Sequence, residues 1–165
     1  MKTLINAKAQ QDSAKENLKI GFGGIREIEF IVQMFQLIYG GKDSSLRIRS
    51  TLQALKQLGV QGLLTSDWAE KLTAAYLFLR KAENGLQIRE DQQIHSLPTE
   101  SQSQLHYAYM LGMQDWYEFY TEYKRHKNAV NTVYQSLLKS DSDEKQNTYE
   151  KSEFEKVWLQ MQELG

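Results

Sequence analysis

The chain has 165 residues, with 20 Lys and Arg against 21 Asp and Glu, one proline and no cysteine. This excludes disulfides, thiolate chemistry and cysteine metal sites, and a net charge of −1 argues against nucleic acid or an anionic membrane as partner. A hydrophobic share of 41% is enough for a real core, no apolar run approaches the roughly 20 residues that cross a bilayer, and the composition fits a reducing, cytoplasmic compartment.

Residues 1–16 are polar and rich in Ala, Lys and Gln, good helix formers, and read as a helix leading out of an upstream domain. Gly21, Gly23 and Gly24 mark a loop. Ile25–Tyr39 is apolar around most of its circumference, with one narrow polar stripe of Arg26, Glu29, Gln33 and Gln36. Such a helix is buried on most sides, and Gly40 and Gly41 end it. Ser44 or Ser45 is positioned to cap a next helix carrying Leu46, Ile48, Leu52, Leu55 and Leu58, closed by Gly59 and Gly62. Ser66 opens a long helix to about Gln93, whose Trp68, Leu72, Ala75, Leu79, Ala82 and Leu86 alternate spacings of four and three, the seam of a bundle. Gly85 inside it marks a kink or a close contact. After Pro98, Thr99 and Gln102 form a capping-box pattern for a helix to about Gly112. Asp115 with Glu118 opens another, faced by Trp116, Tyr120, Tyr123, Val130, Tyr134 and Leu137. Residues 140–148 are a polar linker, and residues 149–165 carry Phe154, Val157, Trp158, Met161 and Leu164 as a last amphipathic helix. Residues 17–139 thus form the main domain, an all-α, elongated bundle of about five to seven helices.

The residues that could carry chemistry are few. The Gly21, Gly23, Gly24 loop precedes a helix, where free N–H groups suit a phosphate, but it lacks the Walker and dinucleotide patterns, and a plain hinge is the competing reading. Arg26, Glu27 and Glu29 cluster in the first turns, as an N-terminal charge pattern or as groups facing a wet cleft. The histidines His95, His106 and His126 have no metal-ligand spacing. The aromatics from Trp116 to Tyr123 sit at helical, core-forming intervals, which favours packing over base stacking.

One block has a more specific likeness. Leu18–Gln33 (LKIGFGGIREIEFIVQ), continued by Gly40-Gly41, Leu46-Arg47 and Thr51–Leu55, resembles the glutamine synthetase adenylyltransferases. Ala75–Arg80, Glu83, Leu86-Gln87, Asp91-Gln92 and His95–Pro98 extend the likeness over most of residues 17–138, and the HSLP run is similar to the adenylyl-removing half. The resemblance implies a helical domain that packs against a nucleotidyltransferase domain, which removes AMP from a tyrosine of glutamine synthetase. It also implies Mg²⁺ and ATP or ADP in the full-length enzyme, none of them bound by this piece, and PII protein as a further partner. The family's catalytic G-S and D-x-D pattern is missing. Asp141 and Asp143 form a D-x-D, but in a polar linker without the strand the motif needs. The chain then reads as part of a nucleotidyltransferase that is inactive alone, with Met1 an internal residue or an artificial start. Within the family frame, Arg26, Glu27, Glu29 and Gln33 are expected next to the active site, with Glu27 or Glu29 assisting the metal or orienting substrate, and the glycine loop near a phosphate. Three rivals stand beside this reading: a docking module for PII protein or glutamine synthetase, the helical domain of a PII uridylyltransferase, and a nucleic-acid binder, which the near-neutral charge disfavours.

Overall fold

The computed structural model describes Leu18, residues 22–90 and residues 96–139. The expected helix at 1–16, Gly21, His95, the Asp141–Asp143 pair, the linker 140–148 and the helix 149–165 lie outside the described residues. Those described form an all-α fold: α1 (Ile25–Tyr39), a single 3-10 turn (Ser44–Leu46), α2 (Thr51–Val60), α3 (Ser66–Glu90), α4 (Ser101–Met110) and α5 (Trp116–Lys139).

The long helix α3 is the spine. Its 25 residues extend roughly 38 Å, and its seam is realised: Leu72, Ala75, Leu79 and Ala82 are fully buried, and Leu86 nearly so. The aromatic face of α5 covers that seam. Phe78 of α3 stacks on Phe119 and on His126, at 5.9 and 4.6 Å between ring centroids. Tyr107 of α4 meets Phe119 edge-on at 5.1 Å and donates its hydroxyl to the Ala82 carbonyl at 2.5 Å. Burial raises the Tyr107 pKa well above the ordinary tyrosine range. The expected aromatic stripe is therefore core, as its spacing implied. Gly85 is a contact point: a Cβ there would stand 3.0 Å from Met110 Cε and 3.2 Å from Leu111 Cδ2, so its lack of a side chain lets α4 approach α3. Lys81 reaches across to the Leu111 carbonyl at 2.8 Å, a cation placed at the C-terminal end of α4.

Several helix ends differ from the sequence reading. Leu46 ends the 3-10 turn and Ile48 lies in no helix, so neither belongs to α2. Gln36 Nε2 donates to both of their carbonyls, at 2.8 and 2.7 Å, and Arg47 Nε donates to the Gly40 carbonyl at 2.7 Å, which holds the segment open across the end of α1. Ser44 and Ser45 cap nothing longer than the 3-10 turn, which is itself capped by Asp43. Helix α2 starts later, behind Ser50. Thr65 Oγ1, not Ser66, accepts from the Trp68 N–H at the head of α3. The Thr99–Gln102 box does not form, because α4 begins behind Glu100 with no side-chain cap; the nearby Gln104 side chain instead donates to the Pro98 carbonyl. The Asp115–Glu118 pairing does form: Asp115 accepts from the Glu118 N–H at 2.8 Å, and Glu118 reaches back to the Gln114 N–H at 2.6 Å, a reciprocal cap.

Candidate functional site

The lead-in to α1 is built around a close approach. Gly23 has φ +77, and a Cβ there would run into the Lys127 carbonyl of α5. Only glycine combines that backbone with that contact. The Gly23 N–H donates to Glu27 Oε2 at 2.7 Å, so Glu27, in the first turn, satisfies a donor in front of its own helix. Burial pushes the Glu27 carboxyl up, against the opposing pull of the Gly23 N–H and of Lys127. On the neighbouring surface of α5, burial first and the Glu27 charge second push the Tyr134 hydroxyl up to about 12. Glu27 thus belongs to the junction between α1 and α5.

Glu29 lies two positions on, and two residues of helix turn a side chain to nearly the opposite side. It faces α3. Its Oε1 accepts from Arg80 Nη2 at 2.6 Å and from the Tyr76 hydroxyl at 3.3 Å. The same guanidinium donates through Nη1 to Glu83 Oε2 at 2.7 Å and through Nε to the Tyr76 hydroxyl at 3.2 Å, and lies over the Tyr76 ring at 5.3 Å. Glu83 is 3% exposed and Arg80 38%. Burial works against the Arg80 charge, but the hydrogen bonds to Tyr76 and Glu83 and the attraction of Glu29 outweigh it, and its pKa rises. One cation therefore holds two acids on different helices.

Of the remaining candidates, Arg26 and Gln33 point outward. Arg26 is exposed, with its guanidinium 5.8 Å from the Phe30 ring. Gln33 is exposed beside a cleft of about 340 Å³ that Glu29, Gln36, Arg47 and Arg49 also border. The structure thus does not converge Arg26, Glu27, Glu29 and Gln33 on one point. Among the described residues there is no group of three or more His, Asp or Glu that could hold a metal, and Glu27 and Glu29 are engaged with different neighbours, so no metal step is assigned to these residues. Nor is any helix of the described residues long and apolar enough to cross a membrane.

The Arg80–Glu83 pair does not stand out as a site in the sequence, although both residues belong to the blocks that carry the family likeness. Its signal was present: Glu83 stands four residues after Leu79, on the apolar seam, where a charge requires a partner. His126 is a second buried polar group, 7% exposed. Burial and the adjacent Arg125 lower its pKa, against the attraction of Glu122, and Arg125 Nη2 sits 3.3 Å from Nε2, placed to donate to a neutral ring. A depressed folded-state value means that His126 contributes stability above the unfolded pKa of about 6.5 and loses it as pH falls. Urea midpoints are expected to drop between pH 7.5 and pH 5, with a shallower drop in His126→Gln.

The fold and site define a class: an all-α helical domain in which a clamp of Arg80, Glu29 and the buried Glu83 ties its helices together. Residues 1–138 match the family described as GlnD PII-uridylyltransferase, and the chain belongs to that family. It is also 39% identical, over 87% of its length, to the bifunctional glutamine synthetase adenylyltransferase/adenylyl-removing enzyme of Thioalkalivibrio sulfidiphilus (strain HL-EbGR7). The chain spans 15% of that relative. The adenylyltransferase resemblance read from Leu18–Gln33 is borne out, and the two transferase names weighed for the sequence meet in one helical domain.

Proposed function

We propose that the chain is the helical domain of a bifunctional glutamine synthetase adenylyltransferase/adenylyl-removing enzyme, working in the half that removes AMP. The observation that carries this reading is the 39% identity over 87% of the chain. In this reading a neighbouring nucleotidyltransferase domain would hold Mg²⁺ and the adenine nucleotide, and phosphorolysis there would form the bond from inorganic phosphate to the AMP phosphorus, break the bond to the tyrosyl oxygen, which takes up a proton, and release ADP. The present domain contributes a rigid wall. Arg26 and Gln33, free of strong contacts within the bundle, face that neighbour, while Glu27 and Glu29 hold α1 in register against α5 and α3. Gly23 and Gly24 lead into that same junction, and the Gly21, Gly23, Gly24 loop keeps its reading as a phosphate-proximal element of the longer enzyme. The assembled enzyme is cytoplasmic and ATP-binding.

The test is made in the longer enzyme. Arg26→Glu combined with Gln33→Glu is expected to slow phosphorolytic AMP removal about tenfold or more, equivalent to roughly 1.4 kcal/mol at the transition state. The urea midpoint of the present chain should stay unchanged, since both side chains are exposed. A wild-type rate in that variant removes the interface role. The exposed group of Leu105, Tyr109, Met110 and Tyr117 favours a second reading, docking of glutamine synthetase or PII protein, which retention of either on the immobilised chain would support.

A further inference from the structure

An apolar groove of about 580 Å³ separates α2 from α3, lined by Leu52, Val60, Ala69, Thr73, Ala74 and Leu77. Val60 is 74% and Leu77 53% exposed. Two helices that pack well below thus leave large apolar side chains in water along their upper edge, a surface that normally marks an interface.

The chain carries an element suited to cover it. Residues 149–165 place Phe154, Val157, Trp158, Met161 and Leu164 at helical spacing, an apolar face with nothing in its own length to bury it. The course of α5 brings this segment to the right end of the bundle. Helix α5 begins beside Tyr107, which bonds to Ala82, and by His126 it has reached Phe78. It therefore runs antiparallel to α3. From His126 to Lys139 is about 20 Å of helix, and from Phe78 back to Ser66 about 18 Å. The chain leaves α5 level with the start of α3, where Ser66, Ala69 and Thr73 border the groove. Residues 140–148 can span about 30 Å when extended, a length that also has to carry the chain around α3, because the groove residues lie on the side of that helix away from the seam that α5 covers. The other exposed apolar end, at Ile88, stands roughly 33 Å further up α3, at the limit of a fully stretched linker.

We propose that residues 149–165 seat as a helix in the α2/α3 groove with their apolar face inward. A short tether supplies an effective concentration on the order of millimolar, which a free partner or second copy does not match. The groove and the segment each carry charges of both signs, Lys56 and Glu70 on one and Lys156 and Glu155 on the other, so nothing repels the pairing.

The natural chain has no cysteine, which makes a disulfide test clean. Leu77→Cys with Met161→Cys, oxidised in the full chain, should give an intrachain disulfide about tenfold faster than Ile88→Cys with Met161→Cys. Separately, Leu77→Cys alone should be labelled by a soluble maleimide about tenfold faster once Trp158→Asp is added. Equal crosslinking of the two pairs would overturn the proposal. So would disulfides that form only between two chains, which would assign the groove to a second copy. A labelling rate indifferent to Trp158→Asp would assign it to another partner. Because Leu77 and Ile88 are exposed, these variants test docking and not folding.

Discussion

Gly23→Ala lowers the unfolding free energy by about 2–5 kcal/mol, whereas Gly41→Ala leaves it unchanged or slightly raised. A non-glycine residue at φ +77 carries a backbone cost of roughly 1–2 kcal/mol. The added Cβ also has to displace the Lys127 carbonyl, which is main chain in the middle of α5 and cannot swing aside. Forcing it to shift adds roughly 1–3 kcal/mol. At the control position a new methyl meets nothing within 4 Å and the backbone has no positive φ, so that variant feels only the reduced freedom of the unfolded chain. Urea unfolding of the two variants side by side checks the pair of expectations. Equal midpoints would mean that the α1 lead-in is not seated on α5.

Arg80→Ala is the second large effect, expected to cost about 2–3 kcal/mol. Removing the partner of a fully buried charge costs roughly 3–5 kcal/mol; the lower figure applies because Arg80 is itself 38% exposed and solvent screens part of the loss. The cost should come mainly from Glu83, which at 3% exposure loses the guanidinium among its partners. Adding Glu83→Gln to Arg80→Ala should therefore restore part of the stability, and a double-mutant cycle would show coupling of the order of 1–3 kcal/mol. Glu29→Gln should cost less than about 1 kcal/mol, since both members of that pair are partly solvated. A cycle with no coupling would remove the clamp.

The longer helices were legible because their apolar residues recur at helical spacing, and the seam of α3 and the aromatic face of α5 fell where that spacing put them. Helix ends were less so. Thr65 against Ser66, and Ser50 against Ser44 or Ser45, are choices between nearby hydroxyls that local sequence does not separate. The decision at Leu46 and Ile48 was made by Gln36, ten and twelve residues away, whose side chain engages their carbonyls. The candidate site was legible as a set of residues but not as a geometry. Glu27 and Glu29 read as one cluster along the chain, yet helix rotation sends them to different neighbours. Arg80 is 51 residues from Glu29, and no local pattern joins them.

The seat of Gly23 on Lys127, together with the influence of Glu27 on Tyr134, has a mechanical consequence. Leu18, upstream of Gly23, is itself fully buried, so prising the lead-in of α1 away from α5 has to open the glycine seat and uncover core together.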